Sequence, residues 1–143
     1  MASLRELDVA AQVRVRGEPQ PGFPVEPNTV AGDVLWLGPD EWLVVNGREE
    51  DYPDAAAAVD VSAERVCLEL AGADVEDVLA RGCSLDLHPS VFASGRCAQT
   101  LLAKAPVILH RTGGETFRIF VRPSLAPYLR SWLEDAMPGA SDA

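Results

Sequence analysis

The chain has 143 residues, 48% of them hydrophobic and 24% charged, which fits one compact domain and excludes both a globally disordered chain and a disulfide mini-scaffold. Its 12 Lys and Arg stand against 22 Asp and Glu, for a formal net charge of -10. That surplus repels phosphate backbones and anionic headgroups, so neither nucleic acid nor a membrane surface is an expected partner.

The opening run carries Arg5, Glu6 and Asp8 where a secretory signal needs an apolar stretch, and the same acids argue against a mitochondrial presequence. No run of about 18 apolar residues occurs, so no membrane span is expected and the cytoplasm is the expected location. Cys67, Cys83 and Cys97 form no CxxC pair and have no His at metal-ligand spacing. Reduced thiols packing as small hydrophobes are expected.

In chain order, residues 12–16 alternate as a strand, and the prolines and glycines between Pro19 and Gly32 make the next stretch a loop. Residues 34–37 and 41–45 flank Gly38-Pro39-Asp40 and predict a hairpin with Trp36 and Trp42 on opposite arms of one face, read as core anchors in preference to a partner-facing patch. Residues 48–58, acidic and then Ala-rich, predict a connection with one or two helical turns. Residues 59–61 and 65–70 read as strands. A short helix follows, with Asp74 as N-cap, Val75, Val78 and Leu79 on one face and Gly82 as its terminating glycine.

Residues 84–92 read as a loop, and 98–103, 107–111 and 116–121 as three strands, the last two joined through Gly113-Gly114, whose freedom permits positive φ. Residues 124–137 form the clearest amphipathic helix, stopped by Pro138-Gly139. So few helices cannot cover both faces of a parallel sheet. The order predicts an α+β fold, an antiparallel sheet with helices packed on one side, in a single domain over 1–143.

Asp86 and His88 are the one close Asp and His pair, and alternation would set both on one side of an extended segment, as in half of a charge relay. The neighbouring Ser84 lacks a nucleophile elbow, and Pro89 holds His88 extended, so a turn role is preferred. Asp40 and Glu41 point apart on their turn, and Gly113-Gly114 lacks the spacing of a phosphate-binding loop. His110, beside Arg111, is expected to face solvent. No catalytic, cofactor-binding or metal-ligating residue is assigned. What remains is a partner surface made of the exposed part of the Trp36/Trp42 hairpin together with Asp86, His88 and Phe92, since aromatic residues concentrate in interface hot spots.

Five stretches then come in a telling order: LWLGPDEWLV from Leu35 to Val44, Val59-Asp60-Val61-Ser62, Gly82-Cys83-Ser84-Leu85-Asp86-Leu87-His88-Pro89 with Phe92, Gly95-Arg96-Cys97-Ala98-Gln99-Thr100, and residues 123–133. Over about residues 30–137 the chain resembles the gamma subunit of heterotetrameric sarcosine oxidase. The resemblance implies a small subunit with no cofactor and no catalytic residue of its own, and a fold similar to part of the folate-binding aminomethyltransferase of the glycine cleavage system. It implies alpha, beta and delta subunits as partners in a complex that oxidises sarcosine to glycine. There the alpha and beta subunits carry FAD, FMN, NAD and the tetrahydrofolate site, and the delta subunit binds zinc. Family members carry a longer N-terminal region and a fuller helical segment where this chain has only residues 47–58. A stand-alone ligand-binding module of the same fold is the alternative.

Overall fold

The structure, a computed structural model, describes residues 2–9 and 11–137; the expected Pro138-Gly139 stop lies outside them. In chain order the strands are β1 (Ser3–Leu7), β2 (Gln12–Arg16), β3 (Val30–Ala31), β4 (Val34–Gly38), β5 (Glu41–Val45), β6 (Ala57–Asp60) and β7 (Val66–Ala71). Helix α1 (Val75–Ala80) precedes β8 (Cys97–Leu102), β9 (Ala105–Gly113), β10 (Thr116–Val121) and helix α2 (Ala126–Ala136). The acidic stretch makes one 3₁₀ turn at Glu49–Asp51.

The strands divide between two antiparallel five-stranded sheets, β1-β7-β10-β9-β8 and β3-β4-β5-β2-β6. The antiparallel α+β expectation holds, and the single expected sheet becomes two. Alternation along the central strands explains the layering. Leu68, Leu70, Leu109, Phe117, Ile119 and Val121 face the helices and pack with Val78, Leu79, Leu129 and Leu133. Their neighbours Cys67, Ile108 and Phe120 turn the other way, against Leu35, Leu43 and Val45 of the second sheet. The first sheet is thus buried on both faces, which is why β7, β9 and β10 read as nearly continuous apolar runs.

The outer face of the second sheet is covered as well. Val13, Val15 and Val44 pack with Phe23, Val34, Tyr52, Ala55 and Ala58. Trp42 is fully buried there, 5.3 Å from the Phe23 ring centroid, and its Nε1 donates to the Pro24 carbonyl at 2.8 Å. The Pro-rich loop is a lid whose aromatic residue and carbonyl complete the tryptophan's environment.

β1 and β3 escape sequence reading. β1 is an edge strand with no buried face of its own, held in register with β7 from Ser3↔Ala71 to Leu7↔Cys67; backbone pairing across the sheet, not periodicity, makes it a strand. The left-handed turn also moves. Gly113 and Gly114 turn without positive φ, while the β8–β9 hairpin turns through Ala103 at φ 51° and Lys104 at φ 71°.

Gly82 does not end α1 by a left-handed φ; the cap is Arg81 at φ -68°. Its glycine identity answers to close approach instead, because a Cβ there would stand 2.6 Å from Trp132 Cη2 and 3.0 Å from the Ala103 nitrogen. Gly82→Ala is therefore expected to cost about 1–3 kcal/mol in urea denaturation, as overpacking does. A second change, Trp132→Leu, should recover part of that loss; an alanine variant as stable as the original chain would refute the contact.

Candidate functional site

Trp36 and Trp42 are register partners across β4 and β5 and share a face, as expected. The β-bulge between Trp36 and Gly38 leaves Trp36 half-buried at the surface, whereas Trp42 lies beneath the lid.

The 84–92 loop is organised by short-range polar contacts. The Asp86 carboxylate accepts the backbone N–H of His88 at 3.0 Å, an Asx-type turn and not a contact with the imidazole. His88 Nδ1 lies 2.7 Å from Ser90 Oγ and accepts the Ser90 N–H at 3.1 Å. The ring is turned onto its own loop, so Asp86 and His88 do not form half of a charge relay. Asp86 and His88 are exposed, as is Val91, while Leu87 and Phe92 point inward. Phe92 stacks on Phe117, with centroids 5.9 Å apart. Of the five expected surface residues, Trp36, Asp86 and His88 reach solvent. Trp42 and Phe92 are buried on different layers, Trp42 beneath the loop on the outer face of the second sheet and Phe92 against Phe117 on the helix-facing side of the first, so the five residues do not share one face.

What holds the loop is a residue that belongs to no sequence motif. Arg111, 1% exposed, shares the helix-facing side of β9 with Val107 and Leu109 and pairs with Phe117. Its Nη1 donates to the carbonyls of Leu87 at 2.9 Å and Phe92 at 2.8 Å. Its Nη2 donates to Glu76 Oε2 at 2.9 Å and to the Gly114 carbonyl at 2.6 Å, and its Nε to the Gly113 carbonyl at 3.3 Å. The guanidinium also lies 4.9 Å over the Phe117 ring. One buried cation therefore ties the 84–92 loop to α1 and to the β9–β10 turn, using all five donors of its planar fork. The signal was available: an arginine two residues beyond Leu109 in a strand alternates inward.

His110 corrects a second expectation. It is 7% exposed, not solvated, and lies opposite Arg118 on the face turned toward the second sheet. Burial, and then the Arg118 charge, push its pKa down to about 4, with Asp33 opposing. Among the described residues its Nδ1 has no hydrogen-bond partner. With Asp33, Gly95, Thr112 and Arg118 it borders a cavity of about 290 Å³.

Cys67, Cys83 and Cys97 are buried and unpaired. Burial pushes the Cys67 thiol up to about 12 and the Cys97 thiol up to about 11, the opposite of what a reactive thiolate needs. Among the described residues no three His, Cys, Asp or Glu side chains group so as to hold a metal ion. No described helix is long and apolar enough to cross a membrane.

Fold and polar chemistry together define a two-sheet α+β protein whose buried arginine presents an ordered surface loop. The family model for the sarcosine oxidase gamma subunit family matches residues 23–139, and the chain belongs to that family. It is similar to the sarcosine oxidase subunit gamma of Corynebacterium sp. strain P-1, with 38% identity over 160 aligned positions covering 94% of this chain and 79% of that one. The corresponding subunit of Corynebacterium sp. strain U-96 is 35% identical over 167 positions, covering 99% and 82%. A chain of the solved heterotetrameric sarcosine oxidase from Corynebacterium sp. U-96, in complex with pyrrole 2-carboxylate, matches with a TM-score of 0.87 and 33% identity over 99% of this chain and 86% of that one.

Proposed function

We propose that this chain is the gamma subunit of a heterotetrameric sarcosine oxidase and serves that complex as a non-catalytic assembly partner. The observation that carries the reading is the likeness, across 99% of the chain, to a chain of the heterotetrameric enzyme. Side-chain chemistry supports it. The Asp86 carboxylate caps a backbone N–H, the thiols Cys67 and Cys97 are held protonated by burial, and Arg111 braces a loop. Each of these roles shapes a surface and none of them activates a nucleophile or moves a proton.

In this reading the partners are alpha, beta and delta subunits, the cofactors FAD, FMN, NAD and tetrahydrofolate reside in subunits other than this one, and the complex is cytoplasmic. Trp36 and the Asp86–His88–Val91 edge of the braced loop are the docking candidates. A domain of this size readily spares the roughly 800 Å² per partner that a stable interface buries. The likeness to part of the aminomethyltransferase fold belongs to the same proposal and rests on the family resemblance.

Co-expression with the other three subunits tests it. The chain should co-elute with them in size-exclusion chromatography, and alone it should show no oxidase or methyltransferase activity. The double substitution Asp86→Ala with His88→Ala should reduce the assembled fraction and leave turnover per assembled flavin unchanged. A drop of about a hundredfold or more in that turnover, beyond what loss of packing explains and in the range of a lost acid or base, would make the pair catalytic. A chain that elutes alone at every salt concentration, and whose removal leaves the other subunits unaffected, would favour the stand-alone ligand-binding module.

A further inference from the structure

All of the chain's 12 basic residues except Lys104 are arginines, and three of them converge where the two sheets meet. Val66 and Val121 form the last register pair of β7 and β10, so Arg65 and Arg122 stand just beyond it on adjacent strand ends. Alternation gives them the side taken by Cys67 and Phe120, toward the second sheet. Arg14 approaches from that second sheet, where it pairs with Leu43 on its inward face. The three line one groove of about 650 Å³, together with Glu64, Pro123 and Ser124. A smaller cavity of about 130 Å³ continues past Arg65 and Arg122 to Gln99 and Thr100.

Among the described residues none of the three guanidiniums makes a side-chain hydrogen bond or ion pair, although Arg5, Arg16, Arg48, Arg96, Arg111 and Arg130 all have carboxylate partners. Arg14 Nε is buried with no hydrogen-bond partner among the described residues. Like charges also act on one another here: burial and the Arg122 and Arg14 charges lower the Arg65 pKa, with Glu64 and Glu41 opposing. Glu41 is shared with Arg16 at 4.0 Å. Three guanidinium forks held together against their own repulsion, those of Arg14 and Arg65 half-buried and that of Arg122 exposed, are an unfavourable arrangement in the free chain. It becomes favourable when an oxyanion bridges them, because guanidinium forks grip carboxylate and phosphate through paired, charge-assisted hydrogen bonds. The groove falls within the roughly 300–1,000 Å³ of small-molecule sites, so a ligand with several oxyanion groups fits.

We infer that Arg14, Arg65 and Arg122 form a binding site for a multivalent oxyanion, a polycarboxylate or a diphosphate-type group. This site is distinct from the Trp36 and Asp86–His88 surface and does not rest on the assembly reading. Two sources supply such a group: a free small anion, or the acidic side chains of a docked subunit.

Pyrophosphate and citrate are the probes, titrated into the purified full chain at constant ionic strength held with sodium chloride. Both should bind by calorimetry and raise the melting temperature above the chloride control. Arg65→Gln and Arg122→Gln should each weaken binding about tenfold or more, as the loss of one charge-assisted fork does, with circular dichroism checking that the variants fold. Arg48→Gln removes the same charge from an exposed position paired with Glu50 and should leave binding unchanged. No binding above chloride, or equal loss in the Arg48 variant, overturns the site. The assembled complex then assigns the source: pyrophosphate binding that persists identifies a free ligand, and binding lost on assembly, with Arg65→Gln also weakening assembly, identifies partner carboxylates.

Discussion

Replacing Arg111 with methionine is expected to cost about 3–5 kcal/mol, the range found when one member of a buried charged network is removed, and to free the 84–92 loop. The methylene stem of the arginine is replaced, but its five donors are not. The carbonyls of Leu87, Phe92, Gly113 and Gly114 then lose their shared donor, and each that stays buried without water costs about 1–3 kcal/mol. Glu76, whose side chain is 37% exposed, recovers hydration and contributes little. Against a total stability of about 5–15 kcal/mol the loss is large. Arg111→Lys should fall between, since an ammonium keeps the charge but cannot span four carbonyls. Urea denaturation gives the energy, and limited proteolysis should cut first within 84–93. A methionine variant within about 1 kcal/mol of the original, too small for a buried network, would show that water replaces the guanidinium at this site.

The second large effect follows from His110. Its pKa is about 4 in the folded chain against an ordinary 6.5, so between those values the unfolded chain binds the proton and the folded chain does not. Stability therefore rises with pH across that window. The contribution is fully present above about pH 6.5 and is lost as the pH falls toward 4, by up to about 3 kcal/mol for a shift of this size. The charged neighbours are Arg118, which disfavours protonation, and Asp33, which favours it. His110→Gln should flatten the stability profile between pH 4 and 6.5, whatever its effect at neutral pH. Arg118→Met should shrink the loss and complete it at a higher pH, while its onset near pH 6.5 stays where the unfolded chain sets it. A parallel profile for the original chain and the glutamine variant would place the imidazole in contact with solvent.

How much of this was legible depends on whether the deciding contact was local. The Trp36/Trp42 hairpin and the amphipathic α2 were readable because their periodicity is written within a dozen residues. Gly82 stands out in the sequence for a reason other than the one that matters: a glycine after a short helix looks like a cap, and only Trp132 of α2, 50 positions along in the numbering, shows that the missing Cβ is what counts. Asp86 is legible as a turn former, because its partner is two residues away.

By itself the sequence determined the antiparallel α+β character, the order of the strands and helices from β4 onward, and the family, since all of these reside in periodicities and motifs within short windows. Tertiary structure alone decided that the strands form two sheets, that β1 pairs with β7, that His110 is dry and Arg111 is a brace, and that Arg14, Arg65 and Arg122 share a groove. The physical reason is common to all four. Alternation says on which side of its own strand a side chain lies, but whether that side meets water, a helix or another sheet is settled by chain segments tens of residues away.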